Sequence, residues 1–296
     1  MGMVVADAFC MITASGTACA TTPRKGGMRT IREANVDQLI LKLVERDGAF
    51  IGLIFAADGG RKGQIEGNVA DEVWRRLHDE AGKANPKYFG FDGARARFLR
   101  FFPNGFESAD YAVKGRAYKI AAKSKFDRTA PLTQAAAGSG YGEAVLSVVQ
   151  ATNLLSPFEK VRLRDVLRGP AADVFIRAAA QFTMGDTERA LVDMERVLKP
   201  YDSARWTVVT YLPFLWRPET HMFLKPEVTK DFAARVGHRF ATEYEPRLDS
   251  GVYVSLLDLV EQTADRLAEL RPRDRIDVQS FIWVVSYYEE AEKPGL

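Results

Sequence analysis

The stretch Gly48-Ala49-Phe50-Ile51-Gly52-Leu53-Ile54-Phe55-Ala56-Ala57, followed by Asp58-Gly59-Gly60-Arg61-Lys62-Gly63, carries the strand character on which the fold class rests. Its centre, Ala49–Ala56, is a short run rich in apolar and aromatic residues that ends in turn residues, the signature of a buried strand. It is also the longest stretch without a polar side chain. At about half of the ~20 residues that cross a bilayer, it predicts no transmembrane helix and hence no membrane partner.

Working outward, Asp37 is placed to cap a helix whose Leu39, Ile40, Leu43 and Val44 form one apolar stripe before Gly48 stops it. Downstream, Asp58–Gly63 is turn chemistry that lacks the Gly-Lys-Ser/Thr ending of a phosphate-binding loop. Asn68 is placed to cap a second helix carrying Val69, Val73, Trp74 and Leu77. Residues 87–106 return to strand character, Tyr88–Phe91 and then Arg95–Phe102, closed by Pro103-Asn104-Gly105. Tyr111–Phe126 reads as a basic helix.

From residue 131 to residue 142 the sequence PLTQAAAGSGYG is rich in small residues and lacks apolar periodicity, so it reads as a linker. Helices then dominate. They are expected over Glu143–Leu154, after the capping box Ser156-Pro157-Phe158-Glu159, over Ala171–Phe182 behind Gly169-Pro170, and over Thr187–Leu198 behind Asp186. Trp206–Leu212 alternates like a strand, and Met222–Leu224 reads as another short one. Glu227–Val236 is a helix ended by Gly237, Val252–Leu270 is the longest amphipathic run, and Asp277 is placed to cap a last helix bearing Phe281, Ile282, Val285 and Tyr288, with a strand as the alternative because of its dense Val/Ile/Trp content.

The fold class is therefore α+β: an unstructured leader over 1–27, a small mixed portion over 28–130 with short strands, a linker over 131–142, and a mostly helical portion over 143–296 with a few strands. A single integrated domain is the alternative. Hydrophobic residues make up 47% of the 296-residue chain and charged residues 27%, the usage of an ordinary folded protein. The two cysteines, Cys10 and Cys19, both fall in the leader, so count alone excludes a disulfide framework or a four-thiolate zinc site and favours a reducing, cytoplasmic setting.

The stretch Arg205–Pro218 (RWTVVTYLPFLWRP) and its continuation His221–Pro226 (HMFLKP) resemble segments of an uncharacterised bacterial protein family, as does Ile276–Val285 (IDVQSFIWVV). With Phe91–Arg97 (FDGARAR), the likeness runs over most of the chain after Met28. The resemblance implies a bacterial protein and transfers no activity.

Catalytic signatures are missing. The three histidines, His78, His221 and His238, are isolated, with no close pair for a helical zinc site, and Ser139 does not sit in a nucleophile elbow. Gly138-Ser139-Gly140-Tyr141-Gly142 precedes a helix but follows no strand, unlike a dinucleotide fingerprint. No metal ligands, cofactor or catalytic residue can be assigned from spacing.

The positive signal is charge. The net +2 conceals an asymmetry, with 21 Lys/Arg against 16 Asp/Glu in residues 1–150 and 20 against 23 in the remainder. Arg95, Arg97 and Arg100 on the expected strand, with Lys114, Arg116 and Lys119 on the following helix, would present phosphate-binding cations beside aromatic rings. The leading expectation is a nucleic-acid-binding protein, with DNA defence or repair as its expected setting. A second cluster, Trp216, Arg217, His221 and Lys225, lies between prolines and predicts a ligand pocket of an enzyme or small-molecule binder. A protein-interaction adaptor built on the apolar C-terminal helices is the third expectation.

Overall fold

A computed structural model describes residues 28–36 and 38–289. The leader over 1–27, with both cysteines, and Asp37 lie outside the described residues.

Four strands come first: β1 (Arg29–Val36), β2 (Leu39–Arg46), β3 (Ala49–Ala56) and β4 (Arg61–Gly67). They form an antiparallel meander in the order β1-β2-β3-β4. The strand expected at Ala49–Ala56 is β3. The helix expected over Leu39–Val44 is instead β2, and the reason is local. Arg46 pairs with Ala49 across Asp47-Gly48, whose φ values of 52° and 81° are those of a two-residue hairpin turn. Read with period two, Leu39, Leu41 and Leu43 share one face, and Leu41 and Leu43 are fully buried.

The turn after β3 is closed by Asp58, whose Oδ1 accepts from the Gly60 N–H at 2.8 Å. The helix Ala70–Gly82 then covers the sheet and lays Val73, Trp74, Leu77 and Ala81 against Val36, Leu41, Leu43 and Ile54. Asn68 does not cap it; the first turn follows Val69, without a side-chain cap.

The rest of the described chain is helical and shares one larger core running from Ala94 to Val285. Where Arg95–Phe102 was expected as a strand, Gly90–Phe101 is a helix. Ala94, Phe98 and Phe101 recur at helical spacing and are buried, and Phe98 meets the rings of Phe106 and Phe281 with centroids 5.1 Å apart in each case. Trp206–Leu212 is not a strand either. Trp206–Val209 and Tyr211–Trp216 are short helices, and every side chain from Trp206 to Trp216 is buried. A helix buried all round has no polar face, so its sequence lacks the 3.6-residue period that would reveal it. Met222–Leu224 is buried but joins no sheet.

The segment expected as a linker carries the helix Leu132–Ala137, and Leu132 and Ala135 belong to the larger core. The two cores part between Ala81 and Ala94 instead. At that seam the helix Ala70–Gly82 touches the C-terminal end of the helix Pro226–Val236. A Cβ on Gly82 would stand 2.3 Å from Gly237 Cα, so the contact requires glycine there. Gly237, with φ of +77°, ends that second helix as expected, and Ser156 and Glu159 form the expected capping box. Among the described residues no helix is long and apolar enough to cross a membrane.

Candidate functional site

The helical rod from Ala109 to Thr129 is not uniform. Ala109–Tyr111 and Tyr118–Thr129 are α-helical, while Ala112–Ala117 between them is π-helical. Closing hydrogen bonds to the fifth residue widens the turn, and such segments recur at functional sites. Lys114 and Lys119, five positions apart, diverge on a regular α-helix; around this wider turn both line one cavity.

The opposite wall is the helix Arg275–Tyr287. Its cap is Asp274, whose Oδ1 accepts from the Ile276 N–H at 2.9 Å, and not Asp277. Asp277 is fully buried and serves as an anchor instead. Its carboxylate accepts from Tyr111 Oη at 2.5 Å, Arg116 Nη1 at 2.9 Å, and both the backbone N–H and Nε of Arg273 at 2.9 Å. Burial opposes its charge, but the hydrogen bonds from Arg273 and Tyr111 and the field of Arg116 outweigh it and hold the carboxyl below its ordinary value. Arg116 also grips Asp274 with two parallel bonds of 2.7 Å each. This network fixes the π-helical segment against the last helix.

One turn on, Lys119 is only 3% exposed. Its Nζ donates to Gln279 Oε1 and, at 2.7 Å, to Ser280 Oγ. The Ser280 hydroxyl donates in turn to the Ile276 carbonyl at 2.9 Å, which leaves its oxygen to receive the lysine. Burial, reinforced by Arg116 and opposed by Asp277 and Asp274, pushes the Lys119 amine down to about 7.

Lys119 lines a cavity of about 130 Å³ with Lys114, Tyr118, Phe223, Lys225 and Trp283. Lys225 is half-buried, and its Nζ stands 4.6 Å from the Trp283 ring centroid, a cation on an aromatic face. Burial lowers its affinity for the proton, and Glu159 opposes the effect. Lys114 sits exposed at the rim, 4.0 Å from Asp110. The volume resembles that of an apolar cavity that takes up a benzene-sized molecule, ~150 Å³. Among the described residues no group of three or more His, Cys, Asp or Glu is placed to hold a metal ion.

The six cations read from the sequence thus do not share one outer face. Arg95 lies 2.6 Å from Glu269, and Arg97 donates inward to the carbonyls of Val285 and Tyr288. Arg116 and Lys119 are committed to the interior, while Arg100 and Lys114 are exposed. The second cluster is also divided. Trp216 stacks on Phe126 at 4.5 Å and donates Nε1–H to the Ala130 carbonyl at 2.9 Å. Arg217 points outward. His221 is buried between Tyr253 and Thr183; because a carbonyl only accepts, Nε2 donates to Thr183 O at 3.1 Å and Nδ1 accepts from Tyr253 Oη at 3.0 Å. Burial lowers its pKa, so the ring is a neutral strut. Lys225 alone of that cluster reaches the cavity.

The pocket therefore joins two lysines of the first cluster to one of the second. Tyr118, Gln279, Ser280 and Trp283 had no distinguishing spacing in the sequence. No protein-family model matches the chain, and no curated protein and no solved structure is similar to it.

Proposed function

We propose that this protein binds a compact small molecule with an aromatic or apolar body and an acidic group, in the cavity between the Ala109–Thr129 rod and the helix Arg275–Tyr287. The observation that carries this reading is the convergence of Lys114, Lys119 and Lys225 on one aromatic-lined cavity of about 130 Å³. Tyr118, Phe223 and Trp283 offer flat apolar surface for a ring. Lys225, held over Trp283, and Lys114 at the rim supply positive charge for a carboxylate or phosphate, with little conformational freedom left to lose at the buried end.

The nucleic-acid reading draws on fewer residues. Of its six cations, Arg97, Arg116 and Lys119 are turned to interior partners, and the three phosphate contacts left to the others give a salt slope of roughly −3, below that of an extended basic interface. A calorimetric titration with benzoate, phenyl phosphate and neutral toluene-like analogues tests the pocket. The acids are expected to bind, with affinity reduced at least ~10-fold in Lys225→Ala, which corresponds to 1.4 kcal/mol. Equal affinity for the acids in the parent and in Lys225→Ala would overturn the assignment.

A further inference from the structure

Lys119 has more than a lining role available to it. A neutral amine has two N–H donors and one lone pair. Both donors are placed, on Gln279 Oε1 and Ser280 Oγ, and Lys119 borders the cavity. Such an amine has its rotation fixed by its own hydrogen bonds and its lone pair free for chemistry. In the same cavity Lys225 and Lys114 supply cationic charge for an acid group, which would hold a ligand by the end remote from its reacting carbon.

We propose that Lys119 Nζ condenses reversibly with the carbonyl carbon of a compact aldehyde or keto acid held in this pocket, forming an imine; the inference rests on the ligand-pocket reading above. The nitrogen lone pair attacks the carbonyl carbon and the C=O π pair moves to oxygen. A proton passes from nitrogen to that oxygen, giving a carbinolamine. The C–O bond then breaks, the oxygen leaves as water with the second amine proton, and C=N forms. No electrons are gained or lost overall, so no oxidant or reductant is needed. Ser280 Oγ, 2.7 Å from Nζ, accepts the amine proton and passes its own on to the ligand oxygen, which requires its hydroxyl to turn from the Ile276 carbonyl into the cavity that Ser280 also borders. The downward shift of the amine suits the step, since it raises the unprotonated, nucleophilic fraction at neutral pH above that of an ordinary lysine.

The test uses the full chain, 4-formylbenzoate as the carbonyl acid, and 4-hydroxymethylbenzoate as the same acid without a carbonyl. Incubation with 4-formylbenzoate and borohydride should give one reduced adduct per chain, mapped by peptide mass spectrometry to Lys119. Its labelling should be at least ~10-fold faster than that of any other lysine at pH 7, with a rate that rises through a midpoint near 7. Excess 4-hydroxymethylbenzoate should suppress the labelling. In Ser280→Ala, adduct formation should slow by more than any change in 4-hydroxymethylbenzoate affinity measured in the same variant. Labelling spread over exposed lysines with Lys119 unmodified, while 4-hydroxymethylbenzoate still binds, would overturn the imine and leave the pocket reading standing. Failure of both compounds to bind would overturn the two together.

Discussion

The guanidinium of Arg116 lies 2.9 Å from the fully buried carboxylate of Asp277, and this contact ties the π-helical segment Ala112–Ala117 to the last helix. Removing one member of a buried pair leaves the other uncompensated, a loss of about 3–5 kcal/mol. Arg116→Met strips Asp274 of its two-pronged partner and Asp277 of one of its donors. It is expected to lower stability by about 3 kcal/mol in urea unfolding and to weaken ligand binding, because the pocket wall is no longer fixed. The carboxyl of Asp277 is held below its ordinary value, so its contribution is present above the unfolded carboxylate pKa of about 4 and is lost as pH falls through the lower folded value. Asp277→Asn should therefore flatten the acid limb of the stability profile below about pH 4.

Lys119 sets the opposite limb. Unfolded lysine keeps its proton to about 10.4, whereas in the fold the amine releases it at about 7. Between these values the unfolded state binds more protons, so stability rises with pH across that window. Below about 7 both states are protonated and the cost of burying the ammonium is fully present. Lys119→Met should remove this rise, seen as a smaller difference between urea midpoints measured at about pH 6.5 and about pH 9.5 than in the parent.

His78 is buried against Trp74, ring centroids 4.8 Å apart, and its Nε2 has no hydrogen-bond partner among the described residues. Burial, with His238 and Arg239 adding to it and Glu243 opposing, pushes its pKa down to about 4. Between about 6.5 and about 4 the unfolded chain takes up the proton first, so His78 costs stability as pH falls through that range. His78→Leu leaves no orphaned polar atom. The variant is expected to be no less stable than the parent at neutral pH and to lose less stability on acidification to about pH 5; thermal melts at the two pH values measure both.

His221→Ala separates strut from site. Tyr253 Oη and the Thr183 carbonyl would lose their partner in a buried setting, for a loss of about 2 kcal/mol. Binding of benzoate should stay within about 2-fold of the parent, since the imidazole does not border the cavity.

Legibility in the sequence followed the kind of signal each element carried. The strand Ala49–Ala56, the capping box at Ser156 and the glycine stop at Gly237 rest on local chemistry and were readable. The hairpin turn Asp47-Gly48 is equally local, and its two positive-φ residues mark the Leu39–Val44 stripe as a strand despite apolar spacing that also fits a helix. Trp206–Trp216 was not readable as helix, because tertiary burial on all sides erases periodicity. The pocket depended on two things that spacing does not report. A π-helical turn brought Lys114 and Lys119 to one cavity, and a fold that packs residue 119 on residues 279 and 280 turned a basic residue inward. A lysine counted as surface charge in the sequence became the most buried amine of the site.

The central claim, that an aromatic acid occupies the cavity between Lys119, Lys225 and Trp283, is tested most directly by soaking crystals with 4-iodobenzoate and locating the iodine by anomalous scattering. One strong peak is expected inside the cavity, with the carboxylate toward Lys225 or Lys114, the ring against Trp283 or Tyr118, and the peak lost in Lys225→Ala crystals. Iodine found only on the outer surface, with the cavity unchanged at ligand concentrations that saturate solution binding, would contradict it.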